Sequence, residues 1–338
     1  MRSHPFRTAP MRAGLAVVVA AGLMLSGCGG GDDKNEAKGS ADTSSTTAAN
    51  TVQGSVASYD LAVGPPSRFM FGMYNEGKGA IGYGTAEFKF FFLGASCSGT
   101  ATGPPAATAT GRYLHLDGGT PHTGDTSKPI YLEQKGVYAA DVAFDKPGNW
   151  GIAATVDIDG GPKEAKSCFK VGEKHLVPAV GDAAIPSQNL TMTTPGAPPE
   201  AIDSRASAQT PVPDPELHQT TLAQALAEKR PVVLVISTPT YCVSQFCGPV
   251  TDTVADLAKT YSDRARFIHI EVFKNYKATT LQDQLNDAAR EWIARGPDVQ
   301  EPWVFVIGAD GKVTARFDNI ATRAEIEPLL QKLPKMKG

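Results

Sequence analysis

The rhythm of apolar and polar positions changes along the chain. Between about Val52 and Val171 apolar residues come in short runs (67–73, 85–93, 136–144, 151–158 and 165–171), each a strand signal. Turn-forming stretches at 75–79, 103–105, 117–119 and 159–162 separate them. Many short strands without a helical period predict an antiparallel β-sandwich over 52–172. From residue 217 the pattern alternates between helical periods and apolar runs. A helix over 222–229, capped by Thr220 or Thr221 and stopped by Pro231, precedes a strand over 232–236 that is β-branched at four of five positions. After Pro249, the residues Val250, Val254, Leu257 and Tyr261 fall on one helix face. There follow a strand over 266–272, a helix over 281–294 ended by Gly296-Pro297, a strand over 303–307, an Asp310-Gly311 turn, a strand over 312–317 and a helix over 323–332. The predicted order is α, β, α, β, α, β, β, α, an α/β arrangement over 217–338.

The segments outside these patterns have their own compositions. Residues 173–216 are rich in Pro, Ala and Thr and read as a surface connector. Residues 28–51 carry Gly, Ser, Thr, Ala and charge with almost nothing to bury, which predicts a flexible tether. At the start, Arg2, Arg7 and Arg12 precede an apolar stretch over 13–25 that is short for a bilayer, closed by Leu25-Ser26-Gly27-Cys28. This ending resembles a bacterial lipobox. The resemblance implies that 1–27 is a lipoprotein signal peptide and that Cys28 becomes a diacylated N-terminus, with palmitate-like chains holding the protein at the extracytoplasmic face of the cell membrane. An ordinary secretory signal is the alternative, and export follows either way.

Length and charge then set limits. The 338 residues suffice for two domains, and a net charge of -3 gives no reason to expect nucleic acid. Neither a dinucleotide fingerprint nor a Walker loop follows any strand, so no cofactor is expected. Trp150, Trp292, Trp303 and the Phe88 to Phe92 run read as core and sheet-face residues.

Chemistry concentrates in Val232 to Val250, VVLVISTPTYCVSQFCGPV, where a strand runs through a polar turn into a helix. Cys242 and Cys247 sit at that junction. Unpaired N–H groups at a helix N-terminus favour a thiolate, the form that attacks disulfides or peroxides. Five residues on a regular helix rotate by about 140°, so a bridge requires Cys242 to lie in the turn or the first helical turn to unwind on oxidation. Setting Cys28 aside, four cysteines group two and two, and in an oxidising compartment this predicts one bridge per domain. Cys97–Cys168 is then a structural disulfide; two buried free thiols are the alternative.

Residues 217–333 resemble the thioredoxin-like superfamily, whose members place a cysteine pair after a central strand and a cis-proline before an antiparallel strand. Glu301-Pro302-Trp303, ahead of Val304-Phe305-Val306-Ile307, stands where that proline belongs. The resemblance implies a thioredoxin-like fold for 217–338, and that Pro302 packs by the cysteines and shapes a groove for an extended peptide. Four residues between the cysteines, instead of two, depart from the thioredoxin pattern. Some atypical peroxiredoxins share this spacing, but Thr238-Pro239 is about one residue out of their register. Sco-type copper chaperones add a distant histidine; His269 lies inside a strand and reads as packed there, and His218 as solvated, so no metal is expected. Residues 137–152 resemble the paired strands of immunoglobulin-like modules in bacterial envelope proteins.

These readings converge on a lipid-anchored, two-domain chain with an N-terminal all-β sandwich and a C-terminal thioredoxin-like α/β domain, acting as a thiol-disulfide oxidoreductase. Cys242 attacks, Cys247 resolves and Pro302 shapes the groove; the partners are exported protein thiols or disulfides. The alternative is a non-catalytic envelope scaffold lipoprotein in which the second bridge only staples a loop, or a thiol peroxidase or copper-chaperone relative.

Overall fold

A computed structural model describes residues 51–98, 103–116, 122–133, 136–294 and 299–336. The expected signal peptide, tether and Cys28, the turn at 117–119 and the Gly296-Pro297 stop lie outside these residues. Strands β1 (Val52–Val56), β2 (Ser67–Asn75), β3 (Gly79–Gly82), β4 (Thr85–Gly94), β5 (Ala107–Leu114), β6 (Ile130–Leu132), β7 (Val137–Val142), β8 (Gly148–Ile158) and β9 (Gly161–Val171) come first. They form one antiparallel sheet in the order β6-β3-β2-β7-β5-β4-β8-β9, with β1 paired to β2. The alternation in β4 shows why: Ala86, Phe88 and Phe90 are buried while Glu87 and Lys89 face out. Inward rings from distant strands meet in one core, Phe69 lying 4.9 Å from Phe90 and 5.0 Å from Phe169 between ring centres. Cys97 and Cys168 are joined as a disulfide, their Cα atoms 5.7 Å apart, which ties the segment after β4 to β9. In the unfolded chain this closes a long loop, a restraint that stabilises by about 2 to 4 kcal/mol.

The remaining elements are α1 (Pro199–Ile202), a 3-10 turn (Pro215–Leu217), α2 (Leu222–Ala227), β10 (Val232–Ser237), α3 (Cys247–Tyr261), β11 (Arg266–Glu271), α4 (Leu281–Gln284), α5 (Asp287–Ile293), β12 (Trp303–Ile307), β13 (Val313–Asp318) and α6 (Arg323–Lys332). A four-stranded sheet runs β11-β10-β12-β13, with β10 parallel to β11 and the other pairs antiparallel. Alternate residues of β10 serve two cores: Val232, Leu234 and Ile236 meet Trp292 and Phe305, whereas Val233 and Val235 meet Val254, Leu257 and Ile326. The helix expected over 281–294 is broken at Leu285–Asn286, because Asn286 turns its amide to the Ala201 and Glu271 carbonyls at 2.9 and 2.8 Å.

Two expectations are corrected. The fold is not an all-β sandwich followed by a thioredoxin-like α/β domain: strand makes up 35% against 18% helix, and four of the six helices have seven residues or fewer. The described residues instead fall in a single compact unit. The physical reason is an interface the pattern did not show. Arg68 of β2 donates to the Asp318 and Ile320 carbonyls at 3.2 and 2.6 Å and pairs with Glu325 at 3.0 Å. Asp60 accepts from the Leu176 and Val177 amides at 3.0 and 3.3 Å and from Arg316 at 2.9 Å. The second correction concerns 173–216, which is no loose surface connector: Val177, Ala184, Ala201, Ile202 and Asp203 are buried, and Ala183 bridges to Lys312.

Asp60 also carries a pH signature. Burial pushes its carboxyl up, but His175, Arg316 and the Leu176 amide outweigh this and hold it at about 2. A depressed folded value gives stability that is complete above the ordinary carboxylate range and fades as pH falls toward 2. Asp60→Asn is therefore expected to lower unfolding free energy by about 2 kcal/mol at pH 7, measured by urea denaturation, with the deficit shrinking between pH 4 and pH 2. An equal deficit at both pH values would contradict this assignment.

Candidate active site

Between β10 and α3 the chain makes a turn whose two ends are fixed from outside it. At its start, Thr240 donates its amide to the Ser204 hydroxyl at 3.1 Å and its own hydroxyl to the Ser204 carbonyl at 2.8 Å. At its end, Phe246 is buried with Met70, Val137, Ala139 and Ile320, the first three from the nine-stranded sheet. Between these anchors Val243 stands 91% exposed, and Gln245 takes a left-handed φ of 68°, which lets the chain double back into α3.

Cys242 lies in the turn and Cys247 is the first residue of α3, as a bridge requires. The two are joined as a disulfide with Cα atoms 6.0 Å apart. Cys247 is fully buried and Cys242 half-buried, so only one sulfur of the pair is open to an incoming partner. The Cys247 amide donates to Cys242 Sγ at 3.3 Å, and the Ser244 hydroxyl lies 3.2 Å from the same atom. Both contacts are placed to stabilise a thiolate on Cys242 when the bridge opens. Cys247 has a different setting: its carbonyl accepts from the Thr251 hydroxyl at 2.7 Å inside the helix.

Pro302 is buried, and the Glu301–Pro302 peptide is cis. The carboxylate of Glu301 was not anticipated. One of its oxygens lies within 4.8 Å of Sγ of both cysteines. Burial, and next the negative charge of Glu271, push this carboxyl up to about 7. Its backbone is held by the nine-stranded-sheet part of the chain: Tyr59, in the β1–β2 connection, donates its hydroxyl to the Glu301 carbonyl at 2.8 Å. Burial pushes the Tyr59 phenol well up, so it stays a neutral donor. Glu271, at the end of β11, is itself buried and raised by that burial, and accepts from the Ser204 amide at 2.8 Å and the Phe273 amide at 3.2 Å. The one sequence signal for Glu301 was its place before Pro302; Tyr59 and Glu271 had none.

The histidines sit elsewhere. His218 is fully buried, which corrects the expectation of a solvated side chain, and His269 is packed in its strand as expected. Both approach Asp203, at 3.6 and 3.4 Å, and the three donor atoms lie within 4.8 Å of one another. Arg205 already donates to both Asp203 oxygens at 3.0 and 2.8 Å, which neutralises the charge that would attract a cation. Burial alone would raise Asp203, yet His218, His269 and Arg205 hold it far below the usual range. Burial likewise lowers His218, while at His269 the Asp203 carboxylate outweighs burial and raises it. The group thus behaves as a buried ion cluster behind the turn, linked forward from His269 to Ser237 at 3.0 Å and on to Thr251 at 2.6 Å. The donor set that includes the cysteines contains Glu301 and no histidine. With the bridge closed, neither sulfur carries the charge a soft cation needs. Trp150, Trp292 and Trp303 are buried as expected, as are Phe88 and Phe90, whereas Phe92 is 40% exposed. Among the described residues no helix is long and apolar enough to cross a membrane.

No family model matches this chain, and no curated protein does. Among solved structures, the chain is similar to the PKD domain of the human VPS10 domain-containing receptor SorCS2, at 19% identity over 46% of this chain and 98% of that one. The TM-score is 0.18, too low to carry any argument about fold or function.

Phe246 ties the turn to the nine-stranded sheet. Phe246→Ala is expected to cost about 3 kcal/mol in chemical denaturation and, after reduction, to speed alkylation of the buried Cys247. A variant with wild-type stability and wild-type alkylation kinetics would show that the tie does not hold the turn.

Proposed function

We propose that this protein is a thiol-disulfide oxidoreductase of exported proteins, anchored through Cys28 at the extracytoplasmic face of the membrane. The observation that carries the reading is the asymmetry of the bridge: a half-exposed Cys242 whose sulfur accepts the first amide of α3, joined to a fully buried Cys247. A bridge that merely stapled a loop would need neither feature. In the reduced pair, Cys242 is the attacking thiolate, favoured by the α3 N-terminus and the Ser244 hydroxyl, and Cys247 is the resolving thiol. In this reading Pro302, buried ahead of β12 next to Glu301, shapes the surface on which an extended peptide lies. The exposed Val243 and the stacked rings of Tyr241 and Tyr276, 4.1 Å apart, offer apolar contact beside that approach, which suits unfolded or extended substrates. Cys97–Cys168 has no part in exchange and stabilises the nine-stranded sheet.

The assignment of roles is tested by trapping. Cys247→Ser is expected to accumulate mixed disulfides with reducible proteins through Cys242, seen as thiol-sensitive adducts on gels and mapped by mass spectrometry, while Cys242→Ser forms none. Full exchange by Cys242→Ser together with its loss in Cys247→Ser would reverse the roles.

A further inference from the structure

We propose that Glu301 is the acid-base group of the Cys242–Cys247 pair, accepting the Cys247 proton as the pair closes and returning it as the pair opens. This inference rests on the exchange reading and adds to it a residue that touches the reacting atoms.

Three observations point to it. A Glu301 carboxylate oxygen lies within 4.8 Å of both sulfurs, a separation that one bridging water spans for proton transfer. Among the described residues no cation pairs with this carboxylate and no donor hydrogen-bonds its oxygens, in contrast to Asp60, Asp203 and Asp318, which are held by arginines. A half-buried carboxylate facing a disulfide with no structural partner has no evident role in holding the fold. Finally, its main chain is fixed on both sides: the Tyr59 hydroxyl donates to its carbonyl at 2.8 Å, and the carbonyl of the next residue, Pro302, accepts from the Asn319 amide at 2.8 Å as β12 begins. A group so rooted keeps its reach to the sulfurs through the reaction.

In the reduced protein, the Cys242 thiolate attacks one sulfur of a substrate disulfide, forming a mixed disulfide and releasing the other substrate sulfur as thiolate. The Glu301 carboxylate removes the Cys247 thiol proton. The new Cys247 thiolate attacks Cys242 Sγ, closing the Cys242–Cys247 bond and breaking the mixed disulfide. The second substrate sulfur leaves with the electron pair and takes the proton from Glu301. Two electrons pass from the cysteine pair to the substrate, and the reverse sequence oxidises a substrate dithiol. Around Glu301 the titratable groups are Cys242 and Cys247 from the turn and α3, Glu271 from β11, and Tyr59 from the β1–β2 connection with Asp318 of β13 behind it. Burial and the Glu271 charge place Glu301 near 7, where a base matches a thiol without being permanently ionised.

The experiment follows resolution of the glutathione mixed disulfide in the full-length protein, by acid quench and mass spectrometry, from pH 5 to pH 9. In the wild type the resolution rate is expected to rise through pH 7 and level off, because Glu301 is a base only above its own pKa. Glu301→Gln is expected to lose that inflection and slow resolution by roughly 100-fold at pH 7, while Glu301→Asp keeps the inflection at a reduced rate. Wild-type rates and profile in Glu301→Gln, with exchange otherwise intact, would overturn the role of Glu301. Failure of the wild-type protein to form or resolve any mixed disulfide would instead overturn the exchange reading on which it rests.

Discussion

The site depends on one contact: the nine-stranded sheet holds the cysteine turn. Phe246, one residue before Cys247, is buried against Met70, Val137 and Ala139, and Tyr59 holds the carbonyl of Glu301 from the other side of the pair. Arg68 and Asp60 fasten the same sheet to β13 and α6 through charge-assisted bonds. Removing any one of these leaves a buried polar group or a cavity, so the interface resists partial opening. A turn with an exposed tip and a left-handed Gln245 would otherwise sample many shapes.

That rigidity has a chemical consequence. A thiolate at a helix N-terminus gains from unpaired amides only if its sulfur stays within reach of them, and the 3.3 Å contact from the Cys247 amide sets that distance. Behind the turn the field is shaped by buried charges. Asp203, Arg205 and His269 neutralise one another in an ion cluster, while Glu271, buried beside His269 and held by amide donors, adds negative charge toward Glu301. Burial first, and that neighbouring charge second, move the Glu301 carboxyl into the range where it exchanges protons at neutral pH. The strap 173–216, whose composition resembles a linker, supplies Asp203, Ser204 and Arg205 to this arrangement.

How much of this the sequence reveals varies with how local the cause is. The strand 232–236, the strand 303–307 and the helix 323–332 are legible because their own residue patterns specify them. Strands β1, β3 and β5 are not, since small residues such as Gly54, Gly82, Ala107 and Ala109 fill the positions where a large apolar pattern would announce them. The cysteine pair and its placement at a strand-to-helix junction were readable from residue type and order. Tyr59 and Glu271 were not, because their roles come from contacts with residues 242 and 30 positions away, Glu301 in both cases. The two-domain expectation failed for the same reason: long-range bonds from Asp60 and Arg68 leave no mark on composition.

The central claim is that Cys242 and Cys247 exchange reversibly while the other bridge does not. A glutathione redox titration of the full-length protein, quenched by alkylation and mapped by mass spectrometry at Cys97, Cys168, Cys242 and Cys247, tests it directly. The account predicts that Cys242 and Cys247 interconvert at a potential above about -300 mV while Cys97 and Cys168 remain bridged throughout. A Cys242–Cys247 bridge that resists reduction as strongly as Cys97–Cys168 would contradict it.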